Sequence, residues 1–123
     1  MNILKIAIVQ PTLYWEQPLK NIENLTILIS QIEENTHLIV LPEMFNTGFS
    51  LRPETFSEKM DGLTISWLKK VSIDTNAAIT GSLMIEEAGK YFNRLVWVED
   101  GEVEYYYDKR HLFSLVGEDV PFA

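Results

Sequence analysis

Two charged residues at strand ends carry the chemistry that this sequence offers. Glu43 directly follows the run Leu38-Ile39-Val40-Leu41-Pro42. Lys109 closes a second run, residues 102–109, that also reads as a strand. A carboxylate at the C-terminal tip of a buried strand stands where open α/β sheets place their active sites. There it can serve as a general base. If the two strands lie in adjacent positions with their tips together, the carboxylate and the ammonium meet in a partly dry pocket and hold each other charged. The pair would then act as base and oxyanion stabiliser. Two plainer readings stay open: a structural ion pair at a sheet end, and a solvated glutamate in a turn.

Other residue types offer less. His37 and His111 are the two histidines, and they lack close metal-ligand spacing. Ser66, Ser82 and Ser114 stand outside any Gly-x-Ser-x-Gly context. The six glycines form no phosphate-cradling cluster. There is no cysteine, so these residues supply no disulfide, no Cys-ligated zinc and no thiol nucleophile. No cofactor and no metal are expected. Lys109-Arg110-His111 is a small basic triplet in a chain of net charge −8, which argues against a nucleic-acid partner. Glu118 is one more acidic residue in a loop and by itself means nothing.

The elements that must position Glu43 and Lys109 follow from periodicity. Residues 2–10 alternate Leu4, Ile6 and Ile8 with Lys5, Ala7 and Val9, a strand largely covered on both faces. Residues 11–18 form a loop in which Trp15 covers the core edge or caps a pocket. Ile22, Leu25, Ile29 and Ile32 recur at helical steps over residues 21–35, with Leu28 widening the stripe. The strand at 38–41, apolar throughout, reads as buried on both faces. Strand, helix and strand with a short return suggest a parallel, right-handed crossover.

Residues 44–61 form a long irregular stretch, weighted by Phe45 and Phe49, of the kind that is often functional. A second helix is predicted over residues 63–75, with Leu63, Trp67, Leu68 and Val71 inward, Ile65 less well placed, and Asp61 or Thr64 as cap. A third strand spans 77–84 and contains Gly81, a sign of a bulge or a close backbone approach. Residues 91–99 and 102–109 pair through Asp100-Gly101, a hairpin turn signal. Val103, Tyr105 and Tyr107 share one face of the last strand by simple alternation, and residues 110–123 read as loop. Two helices and five strands make a partial set for a layered α/β domain.

At 123 residues and 46% hydrophobic composition, one domain with a real core is expected. The first ten residues are too short and weakly charged for a signal peptide. No apolar run approaches the ~20 residues of a membrane span. The expected address is cytoplasmic, with no membrane partner.

The motifs together resemble a known family. Leu38-Ile-Val-Leu-Pro-Glu-Met-Phe45 with Gly48-Phe49 resembles the catalytic-glutamate segment of the nitrilase, or carbon–nitrogen hydrolase, superfamily. Ile6-Ala-Ile-Val-Gln10 resembles its first strand, and Tyr107-Asp-Lys-Arg-His-Leu-Phe113 its catalytic-lysine segment. Asn93-Arg94 on the preceding strand fits as well. Within the superfamily the set is most similar to the omega-amidase branch, which hydrolyses the terminal amide of short 2-oxo acid amides such as 2-oxoglutaramate.

The resemblance implies a Cys-Glu-Lys triad and a thioester intermediate, with Glu43 as general base and acid, Lys109 as oxyanion stabiliser and Glu118 as a second glutamate that contacts the lysine. It implies a four-layer α-β-β-α sandwich, of which residues 1–123 are the N-terminal portion of a single domain. The nucleophilic cysteine of the family lies further along than the lysine, so this chain alone is expected to be inactive. Half a sandwich would expose Leu95, Trp97, Tyr105 and Tyr107. A small amide substrate and a homodimer of the complete enzyme are further implications. The competing expectation is a non-catalytic module that uses Glu43 and Lys109 to bind a small acid or a partner chain.

Overall fold

Apolar residues at helical spacing and apolar residues at strand spacing meet in one interface, and that interface is the core. The computed structural model describes residues 2–123. Its main elements are β1 (Ile6–Ile8), α1 (Pro18–Ser30), β2 (Leu38–Val40), the short α2 (Pro53–Phe56), α3 (Leu63–Thr75), β3 (Ala78–Glu87), β4 (Lys90–Glu99) and β5 (Glu102–Asp108). The strands form one sheet in sequence order. β1, β2 and β3 pair in parallel, and β3, β4 and β5 form an antiparallel meander. It follows that β2, β3 and β5 all run the same way, and their carboxyl ends point to one edge region.

Both long helices lie on one face of the sheet. Leu25 and Ile29 of α1, with Ile65, Leu68 and Val71 of α3, pack on Ile39, Ile79, Leu83, Ile85, Val96 and Val98. Full burial of such a side chain contributes about 2 kcal/mol each. Pro18 occupies the first turn of α1, where its missing N–H costs nothing. α3 has the predicted bounds but a different phase. Ile65 is fully buried and Leu63 is exposed, because the inward stripe runs through Thr64, Ile65, Leu68, Val71 and Ser72. Neither Asp61 nor Thr64 caps the helix. Gly62 is the N-cap residue, and the Glu58 carboxylate accepts from the Thr64 backbone N–H instead (2.8 Å).

The opposite sheet face carries neither long helix, which corrects the expectation of strands covered on both sides. Ile6 and Ile8 of the edge strand β1 are exposed, and Leu38 and Val40 are only half-buried while Ile39 between them is sealed. Leu95, Tyr105 and Tyr107 are exposed on this face as expected, and Trp97 is half-buried. Trp15 is exposed as well. Its indole N–H donates to the Phe49 carbonyl (2.9 Å), so it lies over the 44–50 loop and covers no core edge.

The hairpin departs from simple alternation. Trp97 pairs with Tyr105 but Val98 pairs with Val103, which leaves Glu104 as the extra residue of a bulge. Val103 therefore packs toward the helices, while Tyr105 and Tyr107 stay on the open face. The turn itself matches its signal, with φ of 52° at Asp100 and 76° at Gly101.

Gly81 marks a close approach. A Cβ there would stand 2.9 Å from both Leu41 Cβ and Phe45 Cδ2. Those are the residues on either side of Glu43, so the bare backbone of β3 is what lets the strand tip close down. No helix among the described residues is long and apolar enough to cross a membrane. Gly81→Ala should lower stability by about 1–3 kcal/mol through overpacking. Urea denaturation checks this, and an unchanged midpoint would contradict the packing described.

Candidate active site

Glu43 leaves β2 into a turn that is fastened to β3. Leu41 N–H donates to the Thr80 carbonyl (2.8 Å) and Phe45 N–H to the Ser82 carbonyl (3.1 Å). Between them Met44 adopts a left-handed φ of 47°, and its N–H donates to Ser82 Oγ (2.9 Å). A non-glycine residue in that region costs about 1–2 kcal/mol. Thr47 and Gly48 N–H groups close the turn on the Met44 carbonyl. The turn leaves Glu43 projecting on the sheet face away from the long helices, about half exposed (48%).

Lys109 follows the last residue of β5, and its N–H donates to the Asn93 carbonyl (3.0 Å). Behind it Arg94, 1% exposed, clamps Asp108 with two hydrogen bonds, Nε to Oδ1 at 2.7 Å and an Nη to Oδ2 at 3.0 Å. Arg94 also donates to Glu87 and lies over the Tyr106 ring. The Asp108 and Glu87 carboxylates hold the guanidinium above its ordinary pKa despite its burial. A bidentate clamp one residue before Lys109 fixes where the lysine leaves the strand.

The structure brings Glu43, Lys109 and Glu118 together, although not through adjacent strands. β3 and β4 lie between β2 and β5. The long lysine side chain spans that gap: Nζ stands 2.9 Å from Glu43 Oε2 and 3.0 Å from Glu118 Oε1. Glu118 is fully buried. Its Oε1 also accepts from the Phe113 N–H at 2.6 Å, which anchors the carboxylate to the loop after Lys109. Phe122 packs with Met44 and Met84, and Ala123 N–H donates to the Tyr91 carbonyl (2.8 Å), so this loop is tied to both β4 and the Glu43 turn.

Asn93 is the member that the residue pattern did not single out as a site group. It is 3% exposed, and its Nδ2 donates to Glu43 Oε2 (2.9 Å) and to Glu118 Oε2 (3.4 Å). Its Oδ1 is buried without a partner. The strand pairing reveals it: Asn93 shares the face of Leu95 and Tyr107 and pairs opposite Met84. Glu43, Asn93 and Lys109 border a hollow of about 260 Å³ that Leu41, Ser82, Leu95 and Tyr107 also line, with Glu118 sealed behind the lysine. Of the serines, only Ser82 reaches this place, and its hydroxyl is already an acceptor for Met44 N–H. His37 accepts from the Lys5 N–H at the far end of the sheet. Among the described residues no group of three or more His, Cys, Asp or Glu could hold a metal ion.

The electrostatics follow from contact. Burial by itself pushes the Lys109 ammonium toward deprotonation, but hydrogen bonds and charge from Glu43 and Glu118 outweigh it and raise its pKa. Burial likewise pushes the Glu118 carboxyl up, and the Phe113 N–H, Lys109 and Asn93 together bring it below its ordinary value. The arrangement is a cation shared by two carboxylates, one sealed and one reaching into the hollow.

Helices on one face of a mixed sheet, with a charged site on the other face at the carboxyl ends of the strands, define a layered α/β protein that presents its chemistry from strand tips. The chain belongs to the carbon–nitrogen hydrolase family, whose profile matches residues 5–122. It is 35% identical over 124 residues to the omega-amidase YafV of Yersinia enterocolitica, a match covering 96% of this chain and 45% of that one. It is 28% identical over 116 residues to the 2-oxoglutaramate amidase of Bacillus subtilis, covering 92% of this chain and 45% of the relative. The crystal structure of XC1258 from Xanthomonas campestris, a CN-hydrolase superfamily protein with an arsenic adduct in its active site, superposes with a TM-score of 0.93 at 36% identity. That match covers 100% of this chain and 46% of XC1258. The chain spans about half the length of the curated relatives it matches.

The two shifts set opposite pH limits on stability. Glu118, held below its ordinary 4.5, contributes fully above that value and loses its contribution as pH falls through its folded pKa. Lys109, held above its ordinary 10.5, contributes fully below that value and loses its contribution as pH rises through its folded pKa. The gap in urea midpoint between the parent and Glu118→Gln should therefore be level in the neutral range and shrink below about pH 4.5. A gap independent of pH through the acid range would contradict an ionised Glu118.

Proposed function

We propose that the chain is the N-terminal portion of a single carbon–nitrogen hydrolase domain and supplies the base and the lysine of a thiol-dependent omega-amidase. The observation that carries this is the Lys109 ammonium held between Glu43 and Glu118 beside an open hollow. The likeness to omega-amidases and to a 2-oxoglutaramate amidase supports a short 2-oxo acid amide as substrate. The 123 residues contain no cysteine, so the thiol comes from outside them, and the chain alone does not turn over amides.

In this reading Glu43 takes the thiol proton as the sulfur attacks the amide carbon. The carbonyl oxygen gains the negative charge, and Lys109 Nζ stabilises it. Collapse breaks the C–N bond, Glu43 passes its proton to the departing nitrogen, and ammonia leaves a thioester. Glu43 then deprotonates water for attack on the thioester, which releases the acid and returns the proton to sulfur. Glu118 holds Lys109 in place without touching the reacting atoms. A homodimer belongs to the same reading, and the apolar residues Leu19, Ile27 and Leu63, exposed on the two helices, support it.

The test is ammonia release from 2-oxoglutaramate by the complete protein. Glu43→Gln should lower kcat by about 10³-fold or more, and Lys109→Ala by about 10²–10³-fold, with the circular dichroism of both variants unchanged. Wild-type rates in either folded variant would remove the catalytic assignment. Hydrolysis of other amides with none of 2-oxoglutaramate would remove the acyl assignment alone.

A further inference from the structure

One residue touches both halves of the charged pair. The Asn93 carbonyl accepts the Lys109 N–H, and the Asn93 side-chain amide donates to Glu43 Oε2 and Glu118 Oε2. The amide's orientation is dictated by its neighbours: both are carboxylates, which only accept, so the NH₂ end must face them. Lys109 Nζ approaches the same Glu43 oxygen at 2.9 Å. Oε2 of Glu43 thus receives two donors, one of them cationic, while Oε1 has no protein partner in the hydrogen bonds of the site.

We infer that Asn93 is a positioning residue of this site, which binds one oxygen of Glu43 so that the other is the oxygen that receives the proton. The last clause rests on the amidase reading. The placement of Glu43 by Asn93 does not.

The chemistry of a carboxylate base makes this consequential. An oxygen that accepts two short hydrogen bonds is a poor site for a proton, because protonation there would force out a donor. The proton goes to the free oxygen, and its direction is then fixed by the backbone of β4 and not by the rotation of an exposed glutamate. Asn93 is suited to this because it is neutral. A cation in its place would compete with Lys109, and a carboxylate would repel Glu43 and Glu118. The charged groups facing Glu43 are Lys109 and, beyond it, Glu118; Tyr107 also lines the hollow.

Carbon-13 titration of the glutamate side-chain carboxyls tests the inference without turnover. In Asn93→Ala the Glu43 midpoint should rise by about one pH unit, a tenfold gain in proton affinity, because a donor to the ionised form is lost. In the complete protein the acid limb of kcat/KM should move the same way, and kcat should fall more than KM changes. A folded Asn93→Ala whose Glu43 midpoint stays within about 0.2 unit of the parent would overturn the inference. If Asn93→Ala does not fold, Asn93→Leu, which keeps the volume of the side chain and has no donor, gives the same decision: a raised midpoint supports the assignment and an unmoved one ends it. The two proposals fail separately. Turnover that persists in Glu43→Gln, together with a shifted titration in Asn93→Ala, removes the amidase reading and keeps the placement. Loss of turnover in Glu43→Gln with no shift in Asn93→Ala does the reverse.

Discussion

The structure depends on one shared cation. Lys109 Nζ is claimed by two carboxylates that reach it from sequence separations of 66 and 9 residues. For that to happen three segments must converge on one small volume: the turn after β2, the end of β5 and the loop beyond it. The sheet order achieves this without bringing β2 and β5 side by side. It sets their carboxyl ends at one edge region, puts two strands between them, and leaves a side chain of lysine's length to cross over β4.

Local costs gather around that cation. Met44 carries a left-handed backbone beside Glu43, and Asn93 keeps a buried acceptor unpaired, a cost of about 1–3 kcal/mol. Glu118 is an anion with no exposure. None of these would be chosen for stability, since glycine would relieve the backbone at Met44 and an apolar group of similar size could fill the place of Asn93 or Glu118 more cheaply. They are held by what surrounds them: the Ser82 contacts under the turn, the Arg94 clamp under the lysine, and the core on the far side of the sheet, where Leu25, Ile39, Ile65, Leu68 and Ile79 are all sealed.

The elements were legible wherever the pattern was local. The α3 bounds, the Asp100-Gly101 turn and the close approach at Gly81 all follow from residue type and short-range spacing. Facing was harder. Leu63 looked inward and is exposed, because the sealed stripe of α3 runs through Thr64, Ile65, Leu68, Val71 and Ser72 and takes in two polar residues that an apolar pattern does not mark. Val103 looked like a companion of Tyr105 until the bulge turned it over. Glu43 and Lys109 were visible as charges at strand tips, yet their meeting across two strands was not, since strand order is a long-range property. Glu118 came only from the family resemblance, and the side-chain role of Asn93 from neither. An asparagine in the middle of a strand signals nothing until its neighbours across the sheet are known.

The bulge at Glu104 also bears on how this hairpin can change length. Between Gly101 and Tyr105 a strand segment switches which side of the sheet it shows, and everything from Tyr105 to Lys109 inherits that choice. Insertion or deletion of a single residue there leaves two outcomes. Either the bulge is lost or widened and the downstream register survives, or the lysine rotates onto the helix side, away from Glu43. Changes of two residues preserve parity and can be accommodated at the turn. The hairpin tip should therefore tolerate length variation in even steps, with odd steps admitted only where the bulge absorbs them, although the tip lies at the opposite end of the strands from the charges it governs.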